Sequence, residues 1–142
     1  MKSLQTLIEL TESKVEEVQR VLAKFLAHID ALDTEKADLE RRVYNSVQDA
    51  GDDPTLHDMA ARFAARARVR IEQITVERAQ TEDEAAKVKD ELRDLFAEQK
   101  RYEILEKRRK EEEKRTRAAR DQARLDETAR NGFLRRQDDP ES

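Results

Sequence analysis

The sequence predicts an all-α protein in which two long helices pair as an antiparallel coiled-coil hairpin. Two apolar stripes of heptad type indicate the two helices. Gly51 and Pro54 lie together between the stripes, and no glycine or proline interrupts either of them. Charged residues make up 44% of the chain, a composition typical of long exposed helices rather than of a globular core.

The first stripe predicts a helix over residues 3–47. Thirteen positions follow an unbroken alternation of three- and four-residue steps, and ten of them are apolar. Chance would place about five apolar residues there, so the stripe indicates a coiled-coil seam. Its positions are Leu4, Ile8, Thr11, Val15, Val18, Leu22, Phe25, Ile29, Leu32, Lys36, Leu39, Val43 and Ser46.

Residues 48–54 are the predicted turn between the helices. Two capping arrangements are open for the helix that follows. Asp53 can cap it with Pro54 at the first helical position, or Thr55 can cap it with Asp58 three residues later. Both starts give the same hairpin. The turn region is acidic, with four aspartates at Asp49, Asp52, Asp53 and Asp58.

The second stripe predicts a helix over residues 55–130. Ten of its thirteen positions are apolar. The pair Asn131-Gly132 predicts the end of this helix, because both residues tolerate the left-handed conformation, and residues 131–142 are then a flexible tail. The stripe positions are Ala60, Ala64, Ala67, Ile71, Ile74, Arg78, Thr81, Ala85, Val88, Leu92, Leu95, Gln99 and Tyr102.

The second helix is longer than the first, so its end lacks a partner within the chain. No apolar residue occurs from Glu106 to Arg117, where the first helix would also run out. Residues 106–130 are therefore expected to project as a single charged helix. A solvated spacer remains one interpretation of this segment. Docking into a partner is favoured by seven residues that follow the polar run, namely Ala118, Ala119, Ala123, Leu125, Ala129, Phe133 and Leu134.

A further patch lies at the start of the second helix and adjoins the stripe. Phe63 is one position away from a stripe residue, so it is either a partly exposed docking contact or a ring folded over the small alanines of the seam. Both interpretations stay open. The members of the patch are Met59, Phe63, Ala67, Arg70 and Ile74.

Catalytic, metal and nucleic-acid functions find no support in the sequence. A two-helix seam is too narrow to enclose a substrate cavity, so we expect no enzyme and no cofactor. His28 and His57 lack the spacing of a metal pair, and the chain has no cysteine. The formal net charge of −4 argues against general nucleic-acid binding. Acidic residues near the N-terminus and the lack of long apolar runs predict a soluble cytoplasmic protein.

Three stretches resemble the FliJ family of flagellar type III export proteins, in an order and spacing that cover essentially the whole chain. They are MKSLQTLI at residues 1–8, LFAEQKRYEILEK at residues 95–107, and LDETA at residues 125–129. The injectisome stalk proteins of virulence-type secretion systems have a similar shape. The sequence does not choose between the two kinds of machinery.

The resemblance implies a central stalk of the export ATPase hexamer, monomeric by itself and peripheral at the inner-membrane base of the flagellum. The ends of the hairpin would enter the ring, and other partners would be the cytoplasmic linker of the export gate and export chaperones. By resemblance the gate contacts are Phe63, Ala67, Arg70 and Ile74. The ring contacts are Leu4, Leu7, Leu125, Asp126, Glu127 and Ala129.

Two other classes of function remain open. A structural coiled coil would self-associate through its seams without an ATPase partner, although the break at residues 49–55 disfavours a long parallel dimer. A helical adaptor or chaperone arm would also use exposed apolar residues at the end of a hairpin.

Overall fold

A computed structural model describes residues 3–138, and within them it contains two α-helices and no strand. Helix α1 spans Leu4–Ala50 and helix α2 spans Pro54–Asp138. The all-α prediction is therefore confirmed. The chain divides into two compact units: unit 1 combines Met1–Leu10 with Glu98–Ser142, and unit 2 is Thr11–Ala97.

The turn of unit 2 is shorter than predicted and consists of residues 51–53. Gly51 has a φ of 51°, a left-handed conformation that glycine adopts without steric cost. Asp53 caps α2, since its Oδ1 accepts hydrogen bonds from the backbone N–H groups of Thr55 at 2.9 Å and Leu56 at 3.4 Å. Of the two capping arrangements, the structure contains the one with Pro54 at the first helical position.

The predicted end of α2 at Asn131-Gly132 is wrong, because the helix continues through both residues to Asp138. Residues 131–138 are therefore helical rather than a flexible tail, and residues 139–142 lie outside the described part of the chain. Gly132 does not have a positive φ. Glycine permits a helix end without requiring one, and inside a helix it costs only about 1 kcal/mol relative to alanine.

The predicted stripes are the sheltered faces of the helices in unit 2. Every stripe residue of both helices within this unit is buried or half-buried. The deepest large side chains are Leu32 at 3% exposure and Ile74 at 0%. Small residues such as Ala67 and Ala85 fill other positions of α2. Heptad periodicity thus correctly identified which side chains are sheltered in unit 2.

Three polar side-chain pairs join α1 to α2 within unit 2, and two of them are Arg–carboxylate ion pairs. From His28 to Glu35 the residue number rises along α1, whereas the number of the partner falls from Glu77 to Arg70 along α2. The two helix segments therefore run in opposite directions at these contacts. The pairs are His28 with Glu77, Glu35 with Arg70, and Asp33 with Arg78.

Unit 1 shelters few side chains. Ile8 of α1 is buried at 6% exposure, and Gln99 and Tyr102 of α2 are half-buried. Beyond Glu106, every residue from 107 to 131 is exposed. This stretch of α2 is therefore helical without being covered by another part of the described chain.

Candidate functional surfaces

The four predicted gate-contact residues do not share one exposed face. Ala67 at 4% exposure and Ile74 at 0% lie in the sheltered face of unit 2, as their membership of the second stripe requires. Phe63 and Arg70 are half-buried. The intermediate exposure of Phe63 agrees with both interpretations of this residue, a partly exposed docking contact or a ring folded over the small alanines of the seam. A partner that binds an intact unit 2 can reach Phe63 and Arg70 but not the other two.

The guanidinium group of Arg70 already has a partner in α1. Its Nε and Nη2 atoms each donate a hydrogen bond of 2.8 Å to the carboxylate of Glu35. Such a bidentate pair fixes both side chains in one geometry. These hydrogen bonds hold the pKa of Glu35 below its usual value and raise that of Arg70. Arg70 therefore contributes to the contact between the helices.

The exposed apolar surface near the turn lies about two to four helical turns before Arg70. Leu56 at 43% exposure and Met59 at 60% precede the half-buried Phe63 at i, i+3 and i+7 spacing, which puts them on one face of α2. We call Leu56, Met59 and Phe63 the turn-end patch. A shallow groove of about 370 Å³ borders it, lined by Leu56, Met59, Arg42, Asn45, Ser46, Asp49 and Ala50.

Sequence reasoning included Met59 and Phe63 in its patch but missed Leu56. The spacing in the sequence already indicated it. Leu56 lies seven residues before Phe63, which is about two helical turns, so both residues are on the same face of the helix. On α1, Tyr44 at 64% exposure and Val47 at 45% are further exposed apolar residues near the turn that the sequence did not single out.

A second exposed surface lies in the C-terminal part of α2, in unit 1. Leu125 at 65% exposure and Phe133 at 59% are exposed, as are Asp126, Glu127 and Ala129. The side chain of Asp126 accepts a hydrogen bond of 3.1 Å from Gln122. The other two predicted ring contacts, Leu4 and Leu7 of α1, are half-buried.

The apolar residues of this C-terminal part lie on two sides of the helix. Continued past Tyr102 in steps of three and four, the stripe would pass through polar residues such as Arg109 and Arg120, and through Ala123 and Leu134. At about 100° per residue, four other apolar residues lie roughly on the opposite side of the helix from that line. We call them the C-terminal stripe: Ala118, Leu125, Ala129 and Phe133.

Both histidines have polar contacts within the helices and the turn. His28 Nε2 lies 2.9 Å from Glu77 Oε1, and His57 Nε2 contacts the backbone oxygen of Gly51 in the turn. Within residues 3–138, no group of His, Cys, Asp or Glu side chains is arranged to hold a metal ion. None of the helical stretches searched there is long and apolar enough to cross a membrane.

Acid is expected to weaken the contact between the helices through Asp33 and Glu35. Hydrogen bonds from Arg78 and Arg70 lower the pKa values of these carboxyls in the folded chain. A lowered pKa stabilises the fold above the unfolded value near 4, and this stabilisation is lost as the pH falls through the folded value. Urea unfolding measured from pH 7 to pH 3 should therefore show that wild type has a higher free energy of unfolding than D33N/E35Q at pH 7, and that this difference shrinks as the pH falls. A difference that stays constant with pH would contradict this origin of the acid effect.

A comparison with protein families identifies the chain. The family model described as "Flagellar FliJ protein" matches residues 1–138, which is nearly the full length. No curated protein and no solved structure gives a significant match. The match agrees with the resemblance carried by the three sequence stretches described above. The chain therefore belongs to the FliJ family, and it is a component of the flagellar type III protein export apparatus.

Proposed function

We propose that this protein is the central stalk of the flagellar export ATPase ring, which it enters with the C-terminal part of α2. The observation that carries the proposal is the uncovered helix from residue 107 to residue 131. An isolated polar helix is marginal in water, so an 85-residue α2 is best explained by a partner that surrounds its end. The predicted antiparallel hairpin with a projecting C-terminal helix is part of this proposal.

The C-terminal stripe and the charged residues adjacent to it in the sequence supply two kinds of contact to a ring. Leu125 and Ala129 offer apolar contact, while Asp126 and Glu127 lie beside them on the exposed helix. Because the faces of one helix differ in chemistry, the subunits around it would not be contacted equally. Leu4 and Leu7, at the start of α1, complete the proposed ring contact.

The turn-end patch is the proposed contact for the cytoplasmic linker of the export gate. Leu56 and Met59 join Phe63 in this role, and Ala67 and Ile74 are better explained as contacts between α1 and α2. The stalk would couple the ATPase to the gate through this patch, as a soluble protein held at the inner-membrane base of the flagellum. Escort of export chaperones also belongs to the proposed function, without an assigned surface.

The decisive experiment measures ATP hydrolysis by the cognate export ATPase with the full chain and with a chain truncated after Leu105. Stimulation by the full chain that the truncated chain lacks is the expected result. L125S/F133S should also lose stimulation, since the two large apolar side chains of the C-terminal stripe are removed. The matched control is V69S/V76S, which removes two equally exposed apolar residues of unit 2, at 56% and 59%. Equal stimulation by all four proteins would overturn the proposal.

The alternative is a structural or adaptor coiled coil, flagellar or of injectisome type, without coupling to an ATPase. The exposed C-terminal stripe favours this alternative, because a second copy of the chain could cover its apolar side chains. Light scattering over a concentration series separates the two functions. A monomer at micromolar concentration agrees with a stalk, whereas an obligate dimer that L125S/F133S dissociates would establish self-association.

A further inference from the structure

The three polar side-chain pairs that join α1 to α2 in unit 2 are confined to one short stretch. They link residues 28–35 of α1 with residues 70–78 of α2, and the other Lys and Arg ion pairs of the described chain are within single helices. The stretch includes Leu32 and Ile74, the most deeply buried large side chains. Arg70 and Arg78 lie one helical turn on either side of Ile74.

Both arginines hold their carboxylates in bidentate geometry. Arg70 donates to Glu35 as described above, and Arg78 donates to Asp33 through Nε at 2.6 Å and Nη2 at 3.3 Å. Arg78 also contacts Glu82 of its own helix. Two-pronged contacts of this kind depend on the relative positions of the two helices more strongly than apolar contacts do.

The apolar stripes alone do not fix the alignment of the helices. Both repeat every seven residues, so a shift of α2 by one heptad places stripe residues opposite stripe residues again. Small side chains at Ala60, Ala64, Ala67 and Ala85 also make the contact tolerant of such a shift. The alignment therefore needs a further determinant.

The charged residues provide this determinant, because a shift by one heptad in either direction does not restore the pairing of Glu35 and Asp33 with arginine. One shift replaces Arg70 with Glu77 opposite Glu35, which sets two carboxylates against each other, and replaces Arg78 with Ala85 opposite Asp33. The opposite shift brings Phe63 and Ile71 to these carboxylates. This second shift would also draw Pro54 into the interior of α2, where proline disrupts a helix.

We propose that Glu35–Arg70 and Asp33–Arg78 form a register lock, which holds α1 and α2 in one heptad alignment and excludes the shift that sets Glu77 opposite Glu35. Polar residues at single positions fix register in other coiled coils by the same principle. The lock would keep the turn-end patch in a fixed axial relation to the rest of unit 2. It does not depend on the stalk function proposed above.

Cysteine pairs can report the alignment, because the chain has no cysteine of its own. H28C/E77C reports the observed alignment, since these side chains are in contact, and H28C/E84C reports the alignment shifted by one heptad. Each pair is introduced into the full-length chain in three backgrounds: the lock intact, R70Q/R78Q, and the control R62Q/R93Q. The control removes two arginines that pair only within α2. A short bismaleimide then links the cysteines under native conditions.

We expect the 28/84 crosslink to rise at least about tenfold in R70Q/R78Q and to stay at background in the control. A 28/84 crosslink that stays at background in R70Q/R78Q, while the 28/77 crosslink is unchanged, would overturn the proposal. If R70Q/R78Q loses its helical circular dichroism signal, the charge-swapped chain D33R/E35R/R70E/R78E decides. It should regain the 28/77 crosslink, and failure to do so in a helical chain would refute the lock.

Discussion

Replacing Ile74 with alanine should destabilise the folded chain by about 2–4 kcal/mol, the range for removing large aliphatic side chains from well-packed positions. Ile74 is fully buried at 0% exposure, and its neighbours along the second stripe, such as Ala67, are too small to fill the space left behind. Urea unfolding followed by circular dichroism measures the effect as a lower midpoint at unchanged slope.

Val76→Ala is the matched control for this prediction. Val76 is a β-branched residue of the same helix, two positions away, but it is 59% exposed. Its truncation should change the free energy of unfolding by no more than about 0.5 kcal/mol, as surface substitutions usually do. Similar losses for the two variants would mean that Ile74 does not lie in the apolar contact between the helices.

The helices and their sheltered faces could be predicted from the sequence because heptad spacing is a local pattern. All positions of both stripes are buried or half-buried in the structure, including polar members such as Thr11, Thr81 and Lys36. Capping by Asp53 was one of the two arrangements that the sequence offered, since it depends only on residues 53–56. Each of these features is decided by residues that are near one another in the chain.

The features that sequence reasoning missed depend on context beyond the local pattern. The Asn131-Gly132 pair permits a helix end, but α2 continues, because nothing in the chain forces the left-handed conformation there. The pairing of Glu35 with Arg70 depends on the exact alignment of two helices, which a repeating stripe leaves open by whole heptads. Neither feature could be decided without the three-dimensional structure.

The predicted gate contacts illustrate a different limit. Resemblance to a family indicates which residues correspond to a binding surface, but it does not indicate whether those residues are exposed. Ala67 and Ile74 were predicted both as stripe residues and as docking residues. The periodic pattern predicted their burial, and the structure agrees with it. Where the two kinds of argument disagree on one residue, helical periodicity is the better guide to accessibility.

The turn-end patch therefore provides the second large prediction, which concerns binding rather than stability. L56S/M59S should weaken binding to the isolated cytoplasmic linker of the export gate by at least about tenfold, since central apolar contacts carry much of the energy of an interface. Both residues are exposed, at 43% and 60%, so the fold should tolerate the change. Isothermal titration calorimetry of wild type and variant against the linker gives the ratio directly.

V69S/V76S again controls for a general loss of apolar surface, because its two valines are exposed on α2 without belonging to the patch. It should bind the linker as wild type does. Unchanged binding by L56S/M59S would exclude the patch as the gate contact. If Ile74→Ala alone then abolished binding at a temperature where it stays folded, the linker would have to reach a residue that α1 now covers. Recognition of the gate would in that case require the two helices of unit 2 to separate.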